Sequence, residues 1–302
     1  MSENSWIAVD AMGGDEGLAI MLAGVARARR RHEGIHFLIV GDEAAIREGL
    51  KAHPNLTRNS EIVHAPEVIG SSEPVGKALR RAKTTSMGVA IDLVKQGRAG
   101  AAVSSGNTGA LMAMAKLALR TMPGIDRPAL AAMLPTLGDN DVVVLDLGAN
   151  AECDAKNLVQ FAVMGAAYAR TTMDLPNPRV GLLNIGSEDE KGTGVIRDAA
   201  QVLRDATHLP MKFEGFVEGD RLSRGHHDVI VCDGFSGNIA LKTAEGTARF
   251  VGDLLKRAFR SSIRSKIGFL ISKPAPELLR DHLDPNNHNG AVFLGRNGVV
   301  VK

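Results

Sequence analysis

Aromatic side chains are scarce in this chain: among 302 residues there is one tryptophan, Trp6, and one tyrosine, Tyr168, and aromatics make up 4% of the total. Single-stranded nucleic acids are held by stacking bases on such rings, so that mode of binding lacks its platforms, and no nucleic-acid partner is expected. An excess of one charge is also missing. Lysine and arginine number 36 against 34 acids, a formal charge of +2; this sets up no global field for a polyanion, and any anion site must be local. Two cysteines, Cys153 and Cys232, give neither a disulfide framework nor a paired metal motif, which fits a reducing compartment. No run of about 18 apolar residues occurs, and the first ten residues lack a basic stretch leading into an apolar one. The expectation is a cytoplasmic protein without a membrane span.

What is abundant is glycine, 33 residues, together with 44% hydrophobic content. Short apolar runs alternate with segments of helical period. Strands are predicted at 6–9, 36–40, 62–64, 101–103, 142–147, 180–184 and 229–232, and helices at 17–31, 43–53, 85–96, 108–121, 157–172, 193–207 and 238–262. That alternation is the pattern of strands joined by helical crossovers, hence a mostly parallel sheet with helices on both faces. One stretch departs from it. The runs 129–134 and 141–147 are separated by Gly138, Asp139 and Asn140, which leave no room for a helix and predict a hairpin, making the sheet mixed. No linker-like tract or internal repeat divides the chain, so residues 1–302 are expected to form a single α/β domain.

In such sheets ligands gather at the carboxyl ends of the strands. Five predicted strands end in small polar loops: DAMGGD at 10–15, SSGNTG at 104–109, DLGAN at 146–150, NIGSE at 184–188 and DGFSGN at 233–238. Glycine and serine there let backbone N–H groups point at a ligand, and a helix opening from such a loop adds roughly half a positive charge. The same residues also serve simply to cap helices and make turns. Named motifs fail. Gly13, Gly14 and Gly17 do not form the dinucleotide fingerprint; GSSEPVGKA at 70–78 has the wrong spacing for a phosphate-binding P-loop and carries Ala78 where a magnesium-binding hydroxyl belongs. No hydrolase triad is recognisable. His226, His227 and Cys232 match no zinc signature, so neither a metal nor a cofactor is expected.

The five loops, in their order and spacing, closely resemble those of the PlsX-type phosphate acyltransferases, and the likeness runs from Ile7 to about Val301. The resemblance implies a three-layer α/β/α fold similar to isopropylmalate dehydrogenase and phosphotransacetylase, and a homodimer. It also implies transfer of a fatty acyl group from acyl carrier protein to inorganic phosphate, in phospholipid synthesis. Members of that family usually continue into a further helical segment beyond the position of Lys302, whose lack here is expected to weaken packing or dimerisation.

Phosphate would itself be the nucleophile, so no acyl-enzyme is needed. Phosphate is assigned to donors of Ser105, Gly106, Asn107 and Thr108, and the wider set of phosphate- and substrate-binding candidates comprises Asp10, Gly13, Gly14, Asp15, Asp146, Gly148, Asn150 and Ser236. Lys191 is the candidate cation for charge stabilisation, with Asn184 and Asn238 as neutral donors. Asp233, like Asp10, either orients donors, accepts a proton, or caps a helix. Between 251 and 271, Val251, Leu254, Leu255, Phe259, Ile263, Ile267 and Leu270 share one helical face while Lys256, Arg257, Arg260 and Arg264 lie opposite. This basic amphipathic segment, projecting around 250–275, suits an anionic membrane surface, an acidic carrier protein, or a dimer contact.

Overall fold

A computed structural model describes residues 5–274, 277–279 and 290–302. Contacts gather the chain into two compact units, one running to Pro128 and completed by Val292–Lys302, the other Ala129–Ala291.

In the first unit, strands β1 (Ser5–Asp10), β2 (Ile35–Gly41), β3 (Ser60–His64), β4 (Ala101–Val103), β10 (Val292–Leu294) and β11 (Val299–Val301) lie in the order β3-β2-β1-β4-β11-β10. All neighbours are parallel except β10 and β11. Helices α1 (Gly17–Arg31), α2 (Glu43–Leu50), α3 (Val75–Arg80), α4 (Ser86–Lys95) and α5 (Thr108–Leu119) connect them. Three of them start under side-chain caps: Asp42 accepts from the Ala45 amide, Thr85 from Gly88 and Asn107 from Ala110, each satisfying one orphan donor of the first turn. Leu22, Val25 and Ala26 of α1 pack with Val9, Phe37, Ile39, Ile46 and Leu56 into a closed apolar cluster. Burying each of the larger of these side chains contributes about 1.5–3 kcal/mol.

The second unit orders β5 (Ala129–Leu134), β6 (Val142–Leu145), β7 (Arg179–Leu183), β8 (Lys212–Val217) and β9 (Val229–Val231) as β5-β6-β9-β7-β8. β5 and β6 form the expected antiparallel hairpin; the remaining pairs are parallel. Every residue of β6 and β9 is buried, as strands covered on both faces should be. α6 (Ala155–Thr172) opens on a reciprocal capping box of Asp154 and Asn157, and α7 (Gly194–Asp205) on Thr193.

Two helical expectations are corrected here. The helix predicted from residue 238 begins four residues earlier, as α8 (Gly234–Arg260), because the Asp233 carboxylate caps it by accepting from the Ser236 amide. The amphipathic segment is not one helix. α8 stops at Arg260, and α9 (Ile263–Ser272) restarts under a Ser262 cap, with the Phe259 and Phe269 rings 5.1 Å apart across the break. Only Gly234 and Gly237 of the 27 residues in α8 are buried, whereas Val251, Leu254, Leu255, Ile263, Ile267, Leu270 and Ile271 are exposed. Ala275, at the far end of the 250–275 segment, lies outside the described residues.

Candidate active site

In the first unit the loops after β1 and β4 are built around one carboxylate. Asp10, the last residue of β1, is 1% exposed; its Oδ1 accepts the amides of Met12 at 3.3 Å and Gly13 at 3.0 Å, and its Oδ2 accepts the Ser104 hydroxyl at 2.6 Å. Ser104 Oγ in turn accepts the Gly106 amide at 3.2 Å. Asp10 is therefore a scaffold for the turn rather than a group facing solvent. Gly14, at φ +93°, adopts a conformation that side-chain-bearing residues avoid. Ser105 donates its hydroxyl to the Gly13 carbonyl at 2.8 Å, a second tie between the two loops.

Asn107 is occupied by structure. Its Oδ1 caps α5 at Ala110, and its Nδ2 donates to the carbonyls of Ser71 at 2.9 Å and Glu73 at 3.2 Å. The 70–78 stretch, which fails as a P-loop, thus braces the loop after β4, and the Ser71 hydroxyl also meets the Asp15 carboxylate. Helix geometry leaves the N–H groups of Thr108 and Gly109, in the first turn of α5, without intrahelical acceptors. They and the exposed Thr108 side chain stand at the positive end of the α5 dipole, where general helix electrostatics favour an anion. Ser104 opens the 104–109 loop read from the sequence; Lys302, whose ammonium donates to the Ser105 carbonyl at 2.9 Å, was not read from the sequence as belonging to this edge.

The second unit repeats the device. Asp146, fully buried after β6, accepts the amides of Leu130 at 2.9 Å, Ala149 at 3.0 Å and Asn150 at 2.7 Å, and the Asn150 side chain at 2.9 Å. Burial raises its pKa above the ordinary carboxylate range, opposed by these donors. α8 presses onto this loop: a β-carbon at Gly237 would stand 1.9 Å from the Asp146 carbonyl oxygen and 2.7 Å from Cys232 Sγ, so the glycine of DGFSGN is a close-approach residue. Burial pushes the Cys232 thiol well above its usual range, and it donates to the Asp146 carbonyl at 3.4 Å.

The remaining predicted residues divide into those spent on structure and those left presented. Asp233 caps α8, and the Ser236 hydroxyl is bonded to it at 2.9 Å. Asn184, buried after β7, donates Nδ2 to the Lys191 carbonyl at 3.2 Å, while its Oδ1 has no hydrogen-bond partner among the described residues. Asn238 is exposed on the first turn of α8 and donates to the Leu147 carbonyl at 3.3 Å, beside Gly148. Lys191 is exposed in the turn that Asn184 ties down, and among the described residues its ammonium has no carboxylate partner; the nearby Asp189 pairs with Arg204 instead. A depression of about 660 Å³ lined by Arg170, Thr171, Asp174 and Pro176 holds none of these residues.

Residues 6–302 match the family model described as fatty acid synthesis protein. A phosphate acyltransferase of Erythrobacter litoralis is 66% identical over 98% of this chain and 83% of its own length. One from Rhodospirillum centenum is 53% identical over 100% of this chain and 84% of its own. Among solved structures, a EutD phosphotransacetylase from Staphylococcus aureus superposes with a TM-score of 0.62 at 17% identity, covering 99% of this chain and 88% of that one. A phosphotransacetylase from Streptococcus pyogenes gives 0.59 at 21%, covering 82% and 83%. These two likenesses concern the fold.

Proposed function

Because this chain belongs to the phosphate acyltransferase family, matched along residues 6–302, we propose that it transfers a fatty acyl group from acyl carrier protein to inorganic phosphate, giving an acyl phosphate for phospholipid synthesis. The observation that carries the reading is the anion cradle at the start of α5, where first-turn amides open from a loop braced by the buried Asp10. Phosphate, bound there through the amides near Asn107 and Thr108, attacks the thioester carbonyl. A tetrahedral oxyanion forms, the thiol leaves with the proton released by monohydrogen phosphate, and the mixed anhydride departs. Positioning of the nucleophile and stabilisation of developing charge are the protein's contributions; within the second unit, Lys191 is the residue proposed for charge stabilisation. The match extends over both units, which supports their working as one acyltransferase domain.

No helix among the described residues is long and apolar enough to cross a membrane. The exposed apolar residues of α8 and α9, flanked by Lys256, Arg257, Arg260 and Arg264, support two further parts of the proposal: a homodimer that covers part of this face, and peripheral contact of a cytoplasmic protein with anionic lipid through 251–271. Flotation with anionic liposomes tests the latter, and no binding at low salt rejects it. The activity itself is tested by incubating purified protein with long-chain acyl carrier protein, with and without inorganic phosphate, and assaying acyl phosphate by mass spectrometry. Phosphate-dependent product is expected; equal or better turnover with an acyl-coenzyme A donor would overturn the choice of carrier.

A further inference from the structure

We propose that Ser104 is a positioning residue for phosphate, acting by holding the Ser105–Gly106–Asn107 turn and by donating a hydrogen bond to the carboxylate beneath it; this rests on the phosphate-cradle reading above. Ser104 is 2% exposed at the end of β4. A hydroxyl has one donor and can accept twice. Here the donor goes to Asp10 Oδ2 at 2.6 Å and one acceptor position takes the Gly106 amide at 3.2 Å. The side chain is therefore the buried link between a carboxylate and the turn that aims the first-turn amides of α5.

Two consequences follow from removing it. The Gly106 amide, buried and deprived of its acceptor, must find another orientation, which tilts the adjoining Asn107 and Thr108 peptide units. Asp10 Oδ2 also loses a donor, leaving its negative charge less compensated behind a site that receives a dianion. Both effects weaken phosphate binding. Neither touches the acyl donor.

The test measures phosphate binding in two ways, by thermal upshift under inorganic phosphate and by steady-state kinetics, on the full chain. Ser104→Ala is expected to raise KM for phosphate about tenfold, with KM for the acyl thioester within about twofold and kcat within about threefold. Adding Asp10→Asn to Ser104→Ala should recover phosphate affinity about threefold or more, since the uncompensated charge is gone; a purely structural serine would give a double variant worse than either single one. Ser104→Thr, which retains the hydroxyl, should stay within about threefold of the parent. Ser104→Cys, with a weak donor, carries the same test if the alanine variant does not fold. If the parent responds to phosphate and Ser104→Ala responds equally, or if all kinetic constants fall together without recovery by Asp10→Asn, the inference is wrong. If the parent shows neither a phosphate upshift nor acyl phosphate, the cradle reading itself fails and this inference fails with it.

Discussion

Replacing Arg296 with methionine should make this protein more stable. Arg296 lies in the turn between β10 and β11, where Thr121 bridges to it and the Met122 amide donates to the Gly295 carbonyl at 3.0 Å. It is 5% exposed, and Nε, Nη1 and Nη2 all lack a hydrogen-bond acceptor among the described residues. Burial alone pushes its pKa from the ordinary arginine range, about two and a half units, down to about 10. At about 1.4 kcal/mol per unit, holding the charge there costs roughly 3 kcal/mol, within the range of about 1–4 kcal/mol gained when buried charges are exchanged for apolar side chains. Arg296→Met keeps much of the volume and removes the charge. At about 2 °C per kcal/mol for a large chain, the melting temperature at pH 7 should rise by about 5 °C, with a matching shift of the urea midpoint read from Trp6 fluorescence. The sign of the pH dependence is fixed as well. A cation whose folded pKa is depressed carries its full penalty below about pH 10 and is relieved above it, so the advantage of the variant should shrink as pH rises through 10. A lower melting temperature for Arg296→Met at pH 7 would refute the reasoning, because it would mean that the guanidinium has an acceptor in solution.

Gly237→Ala sets a β-carbon against the Asp146 carbonyl at 1.9 Å; soluble yield and melting temperature should both fall, and an unchanged melting curve would contradict the close approach of α8. Lys191→Ala, at an exposed position, should leave the melting temperature within about a degree while lowering kcat about 100- to 1,000-fold, the cost of losing one charge-stabilising group; full phosphate-dependent turnover would remove that assignment. His227 sits among Glu214, Arg179, His226 and Asp228, and burial holds its pKa below the usual 6.5. The unfolded chain then takes up the proton first, so stability falls as pH drops through 6.5 toward the folded pKa. His227→Gln should flatten the melting-temperature slope between pH 7 and 5, and identical slopes in the two proteins would exclude this histidine as its source.

Much of the scaffold was legible because hydrophobic period and turn residues agree along it. The apolar run from Val142, the Gly138-Asp139-Asn140 turn and four of the five strand-end loops are local signals that the structure bears out, although β6 ends at Leu145, two residues before the predicted end. β8 was hidden for a physical reason: Lys212 and Glu214 interrupt its apolar content, Gly215 sits at φ +87°, and its pairing with β7 shifts register there. α3 was masked by Pro74 and a run of polar residues before it. The start of α8 was misjudged because GFSG reads as a turn, whereas the Asp233 cap and the tight contact at Gly237 turn it into helix. In the site, residue types were readable but their duties were not. Nothing in the string of letters separates Asp10 and Asp146, locked by loop amides, from Lys191, which has no such partner; that distinction depends on burial and hydrogen-bond direction.

The return of the chain at 292–302 to complete the strands of the first unit sets the order in which they can pair. β4 pairs with β1 on one side but finds its other parallel neighbour, β11, only about two hundred residues later. During synthesis at about 5–20 residues per second, that edge stands open for roughly 10 to 40 s, a row of unpaired amides and carbonyls beside the loop that begins with Ser104. Deletion of Val299–Val301 would leave the same edge of β4 without its parallel partner.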